Sequence, residues 1–153
     1  MPLMTNAELA QELRDLRDFL IIAGYEESHT TRYTLIARQI EKLPEDVNTL
    51  KAEGRLDEIP GVGKLIKLYI KELLETGTCS KRAEWASEAP DSVLELVRIP
   101  GVGAKTARFL FQNFGVHSLE SLKLAIDEGK LKDAPGIGPK TLATMREFAE
   151  NHT

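Results

Sequence analysis

Three stretches of this chain place two glycines, one residue apart, directly behind a proline: Pro60-Gly61-Val62-Gly63, Pro100-Gly101-Val102-Gly103 and Pro135-Gly136-Ile137-Gly138. The residue ahead of each proline is Ile59, Ile99 or Ala134. Proline fixes φ at the entry to a turn. The glycines admit positive φ and leave no Cβ above the main chain. Each copy leads into a run that suits a helix, so the positive dipole end and the unsatisfied amides of that helix point to the same spot. The chemistry predicted is anion binding by backbone N–H groups. Lys64 and Lys67, Lys105 and Arg108, and Lys140 can add charge from the helix starts.

Phosphate oxygens of a polynucleotide are an apt ligand for such turns. Contacts of this kind read backbone and not bases, so binding should be sequence-independent and salt-sensitive. The alternative is that Pro-Gly-x-Gly only makes a tight turn between packed helices. The third copy is the candidate for that role, because Pro139 removes an amide after Gly138 and Ala134 replaces isoleucine.

Positioning these turns requires helices. Thr5-Asn6-Ala7-Glu8 has the form of a capping box, and Leu9, Leu13, Leu16 and Leu20 recur at helical spacing behind it. The pattern predicts helices over about 6–22, 31–43 and from Pro44 to about 53, then a helical turn at 55–58 before the first hairpin. Further helices are predicted at about 63–75, 80–87, 91–98, 103–113 and 118–128. A helical turn at 130–133 and a final helix to about 150 complete the set. No segment reads as a strand. The expectation is an all-α chain of tandem helix-hairpin-helix units, with a boundary near 77–90, where Gly, Thr, Ser and Pro gather.

Composition narrows the classes. The 153 residues are 42% hydrophobic and 29% charged, as in a globular protein of one domain or two small ones. No run of 18 or more apolar residues exists, so no membrane partner is expected. The start, Met1-Pro2-Leu3-Met4, lacks a secretory pattern, and Cys79 is the only cysteine. A cytoplasmic setting follows as the expectation. The net charge of −4 argues against a broad basic surface but not against a local grip of amides and a few cations. The acid excess is concentrated in residues 1–55, with ten Asp and Glu against seven Lys and Arg.

Several of these stretches resemble the amino-terminal portion of family X DNA polymerases of the polymerase-beta type, especially bacterial ones. They include Ile59-Pro60-Gly61-Val62-Gly63-Lys64, Glu72-Leu73-Leu74-Glu75-Thr76-Gly77 and Leu96-Val97-Arg98-Ile99-Pro100-Gly101-Val102-Gly103. Leu43-Pro44-Glu45-Asp46-Val47, Glu53-Gly54-Arg55-Leu56 and Ser118-Leu119-Glu120-Ser121-Leu122 fit as well. The resemblance covers about residues 5–150. It implies a lyase-type helical domain over 1–80 carrying the first hairpin, followed by a SAM-like tandem helix-hairpin-helix domain over 81–153. In that family such a region grips gapped DNA near a 5′ phosphate.

The resemblance also bears on catalysis. The family's polymerase palm would lie beyond residue 150. Nucleotidyl transfer needs paired carboxylates for two metals, and no Asp-x-Asp occurs in the chain. The lyase nucleophile of the family is a lysine nine positions past the hairpin proline, where this chain has Tyr69. A phenol cannot form an imine. Tyr33 and Lys81 match the family's 5′-phosphate pocket, while His29 and Leu65 stand where lysines are expected. The resemblance further implies a monovalent cation, Na+ or K+, held by the carbonyls of Asp57, Ile59 and Val62 and of Val97, Ile99 and Val102. No other cofactor is implied.

Two competing readings use the same residues. Lys105 in Gly101-Val102-Gly103-Ala104-Lys105 resembles the lysine of bifunctional DNA glycosylases. The Asp those enzymes need about a dozen and a half residues on is missing, and so are their cluster-binding cysteines. A helical module of this shape could instead dock proteins, which the acidic balance favours. The expectation is a non-catalytic, sequence-independent DNA-binding protein acting on gapped, nicked or structured duplex in repair or replication. Its DNA contacts would be Gly61, Val62, Gly63, Lys64, Lys67, Gly101, Val102, Gly103, Lys105, Arg108, Gly136, Gly138 and Lys140, with Tyr33 and Lys81 beside them. A repair or replication enzyme is the expected protein partner.

Overall fold

The computed structural model describes residues 3–153, so Met1 and Pro2, the start of the stretch read for a leader, lie outside the described residues. Eight α-helices and three short 3-10 segments make up the regular structure, and no strand occurs among the described residues. The all-α expectation holds.

Helix α1 (Asn6–Ala23) starts at the predicted capping box: the Thr5 hydroxyl accepts from the Glu8 amide at 3.1 Å and the Glu8 carboxylate accepts from the Thr5 amide at 3.1 Å. Its buried residues include Leu9, Leu13, Leu16, Phe19, Leu20 and Ile22, more than a single stripe. The cause is that α1 has neighbours on several sides. It packs on α2 (Thr31–Glu41), on α6 (Ala104–Phe114) and on the 3-10 segment Asp91–Arg98, and it touches α4 (Lys64–Thr76) and α5 (Ser80–Glu84). One continuous apolar core therefore links residues from both halves of the chain, from Leu9 to Ala149. Removing a side chain at its centre, as in Leu13→Ala, would cost about 2–5 kcal/mol.

Polar contacts fix these helices in register. Arg14 donates both guanidinium nitrogens to Glu41, at 2.9 and 2.6 Å, tying α1 to α2. Asn6 accepts from the Val47 amide at 2.8 Å and donates to the Glu45 carbonyl at 2.9 Å, docking α3 (Val47–Ala52) against the start of α1. At the other end, the Gln112 amide nitrogen donates to the Ile22 carbonyl at 3.0 Å, joining α6 to the last turn of α1. Helices α7 (Leu119–Asp127) and α8 (Pro139–Asn151) pack on each other.

One element differs in kind from its prediction. Residues Asp91–Arg98 form a 3-10 segment and not an α-helix. Val93, Leu96 and Ile99 are all buried, a step of three that keeps one face inward when each turn holds three residues. The same step recurs through Leu56, Ile59 and Val62 and through Leu131, Ala134 and Ile137, with Val62 half-buried and the others buried.

Candidate nucleic-acid interface

The three glycine turns are conformational copies. In each, the amide after the first glycine donates back to the residue ahead of the proline: Val62 to Ile59 at 3.1 Å, Val102 to Ile99 at 3.0 Å, and Ile137 to Ala134 at 3.2 Å. Proline second and a positive-φ glycine third is the signature of a type II turn. Gly61, Gly101 and Gly136 have φ of 87°, 84° and 78°. Both glycines of a pair admit positive φ, and only the first adopts it. Gly63, Gly103 and Gly138 are extended, with φ of −96°, −96° and −91°, a conformation open to any residue.

Why the second position is glycine is therefore a separate question. A Cβ built at Gly63, Gly103 or Gly138 would meet nothing within 4 Å. Neither backbone strain nor internal packing requires glycine there. Its effect is outward: each of these glycines is the N-cap of α4, α6 or α8 and offers no side-chain hydrogen bond. The amides of Gly63, Lys64, Leu65 and Ile66 bond to no protein acceptor, and neither do those of Gly103, Ala104, Lys105 and Thr106. In the third copy the free donors are Gly138, Lys140 and Thr141, since Pro139 has no N–H. Gly61, Gly63, Gly101, Gly103, Gly136 and Gly138 are all exposed, as are Lys64, Leu65, Lys105 and Lys140, whereas Ile66 and Ala104 are buried.

The cations are placed differently in each copy. Lys64 is the first residue of α4, whereas Lys105 and Lys140 are each the second residue of their helices. Leu65 occupies the corresponding place in α4 and is 61% exposed. Lys67 is bound by Asp57 at 2.7 Å, and this pair holds the Asp57 carboxyl below its ordinary value. Lys105 is paired with Glu27 at 3.5 Å. Lys64, Arg108 and Lys140 form no ion pair among the described residues.

The second turn lies beside the start of α8. Pro100, Gly101 and Val102 share a cleft of about 240 Å³ with Lys140, Thr141, Thr144 and Met145 at the start of α8. The first turn sits on α2 instead, where a Cβ at Gly61 would lie 3.5 Å from Ile36 Cγ1.

Tyr33 and Lys81 occupy another corner. Tyr33 is only 4% exposed, and burial, reinforced by the neighbouring phenols of Tyr69 and Tyr25, pushes its hydroxyl up to about 12. Burial also raises Tyr69. Lys81 lies 4.4 Å from the centroid of the Tyr25 ring and 3.7 Å from Glu84. Tyr25 in turn meets Trp85 edge to face at 5.3 Å. This aromatic corner was not predicted; Tyr25, His29 and Trp85 carry no shared periodicity. Of the carbonyls expected to hold a cation, those of Ile59 and Ile99 each accept the valine amide of their own turn, which leaves one lone pair apiece.

Comparison with known proteins agrees with this geometry. The family described as "Helix-hairpin-helix domain" matches residues 4–79, and the "SAM-like Helix-hairpin-helix tandem" matches residues 93–151. The chain is 31% identical over 99 residues, 65% of its length, to the DNA polymerase/3′-5′ exonuclease PolX of Bacillus subtilis. It is 31% identical over 102 residues to DNA polymerase lambda of Arabidopsis thaliana. It spans only 17% and 18% of those two proteins. It is also 31% identical over 84 residues to the Holliday junction branch migration complex subunit RuvA of Lachnospira eligens, covering 55% of this chain and 41% of that one. The fold is thus all-helical with helix-hairpin-helix domains in both halves, and about two thirds of the chain is a helix-hairpin-helix region similar to that of X-family DNA polymerases.

Proposed function

We propose that this chain binds the sugar-phosphate backbone of DNA without regard to sequence, in repair, recombination or replication, and performs no covalent chemistry of its own. The observation that carries the reading is the set of three helix starts whose capping residue is glycine although neither packing nor positive φ requires it, with first-turn amides that bond to no protein acceptor. Phosphate oxygens complete those donors, and Lys64, Lys105, Arg108 and Lys140 add charge. The second turn and the start of α8 act together through their shared cleft. Gapped, nicked or branched duplex is the proposed substrate, and an enzyme acting on the same DNA the proposed partner. Neutral carbonyl oxygens at Asp57, Ile59 and Val62 and at Val97, Ile99 and Val102 suit a singly charged cation such as Na+ or K+ as a bridge to phosphate.

The test is duplex binding across a salt series. If each turn neutralises one or two phosphates, log Kd plotted against log salt has a slope magnitude of about 3 to 5. Absence of binding at low salt, or a flat line, would overturn the proposal. The non-catalytic part is checked by borohydride trapping on abasic DNA, where no covalent adduct is expected with Tyr69 at the position of the family's amine. Protein docking is favoured beside the first turn, where Leu65 and Leu68, 61% and 47% exposed, offer apolar contact at the places that Lys105 and Arg108 hold in the second copy.

A further inference from the structure

A groove of about 580 Å³ runs between the last turn of α1 and the outer face of α6, lined by Ala23, Gly24, Lys105, Arg108, Phe109, Gln112 and Asn113. The α6 residues fall at helical spacing on one face, and Lys105 to Asn113 spans about 12 Å at 1.5 Å per residue. The chemistry changes along this length. At the hairpin end are two cations, Lys105 and Arg108. In the middle is Phe109, half-buried and braced edge to face by Phe114 at 5.6 Å. At the far end, the amide nitrogens of Gln112 and Asn113 are already engaged, donating to the carbonyls of Ile22 at 3.0 Å and Phe109 at 3.1 Å. Their side-chain oxygens take no hydrogen bond from the protein and each nitrogen keeps a second N–H, so this end of the groove offers acceptors beside donors. Such a mixed set matches the donor and acceptor groups on the edge of a base.

The end of α1 that borders the groove would ordinarily disfavour an anion. Here three of its last four carbonyls are occupied: Leu20 accepts from Tyr25, Ile21 from Gly24 and Ile22 from Gln112, while that of Ala23 takes no hydrogen bond from the protein. The nearby acid is Glu27, which holds Lys105 at 3.5 Å.

We infer that this groove receives one unpaired nucleotide of the DNA, with its phosphate at Lys105 and Arg108, its base against Phe109 and the edge of that base at the Gln112 and Asn113 side-chain amides. Glu27 competes with the phosphate for Lys105. The inference rests on the DNA-binding reading above and adds to it a preference for DNA carrying an unpaired base beside the second hairpin.

The experiment compares a duplex holding one bulged 2-aminopurine with the same duplex fully paired, using the full chain. Wild type is expected to bind the bulged duplex at least about fivefold tighter, the lower range for stacking a single base on an aromatic side chain. The fluorescence of the bulged base should be quenched on binding. Phe109→Leu, which keeps the apolar packing, is expected to erase the preference while still binding paired duplex, and Arg108→Gln to weaken binding to both duplexes, the bulged one more. Glu27→Gln is expected to raise affinity for the bulged duplex two- to threefold. Gly103→Asp should weaken binding to both duplexes. Equal affinity of wild type for the two duplexes, or a preference that survives Phe109→Leu, would overturn the groove assignment and leave the hairpin reading standing. No binding to either duplex would overturn both.

Discussion

Helices α1, α3 and α7 begin behind Thr5, Asp46 and Ser118, and each of these side chains accepts a hydrogen bond from an amide of the first turn, at 3.1, 2.8 and 3.1 Å. Helices α4, α6 and α8 begin behind Gly63, Gly103 and Gly138, which offer no such bond. The same chain therefore completes one set of helix starts internally and leaves the glycine set open; α2 and α5, behind Thr30 and Cys79, also lack a side-chain cap but have no glycine turn. A side-chain cap stabilises a helix by about a few tenths of a kcal/mol over a glycine, so the open set forgoes a little stability that the closed set takes. An incoming anion can complete what the glycines leave bare, and its regular occurrence at three turns of one conformation is what the proposed binding role, beyond turn-making, calls for.

The comparison can be broken or sharpened by substitution. The largest effect on stability is expected at the first glycine of each turn. Gly101→Ala or Gly136→Ala forces a side chain into positive φ and should cost about 1–2 kcal/mol in chemical denaturation, with lower DNA affinity because the turn is disturbed. Gly103→Ala, at an extended φ with open space around its Cβ, should change stability by under about 0.5 kcal/mol. Equal costs at the two positions would contradict the division of roles between them.

On the closed set, Ser118→Ala removes the acceptor for the Ser121 amide and should cost about 1 kcal/mol with DNA affinity unchanged. Among the cations, Lys140→Ala should weaken binding a few-fold for any sequence and lower the salt slope by about 1. The smallest effect is at Asp57. Asp57→Asn frees Lys67 for phosphate and should strengthen binding slightly, read in the same salt series. The pH dependence follows in sign: the folded-state value of Asp57 is depressed by Lys67, so its contribution to stability is fully present above the unfolded value of about 4 and is lost as pH falls through the folded value. Acid unfolding of Asp57→Asn should therefore begin from a slightly less stable protein at neutral pH and converge with wild type below pH 4.

Much of this arrangement was legible in the residues. The leucine stripe and capping box placed α1 to within a residue of its bounds, and Pro-Gly-x-Gly placed all three turns and the helices behind them, because turn and cap chemistry act within a few residues. The apolar step of three through Val93, Leu96 and Ile99 was also present and signals a 3-10 segment, but it was read at helical period. The conformation of Gly63, Gly103 and Gly138 was not legible: glycine permits positive φ without requiring it, and only coordinates separate an extended glycine from a left-handed one. Pairings between distant parts of the chain were not legible either. Glu27 on Lys105 and Gln112 on Ile22 join residues 78 and 90 positions apart, through packing of α6 on α1 that no local pattern encodes.

The most direct measurement is the double substitution Gly103→Asp with Gly138→Asp, followed by thermal unfolding and DNA binding on the same preparation. Aspartate fits the extended backbone, can accept from the open amides and places negative charge at the helix dipole, for a gain of about 0.5 kcal/mol each. The account predicts a melting temperature higher by about 2–4 °C together with a loss of DNA affinity of about tenfold or more, the scale of charge-assisted hydrogen bonds. Raised stability with DNA affinity intact would contradict it.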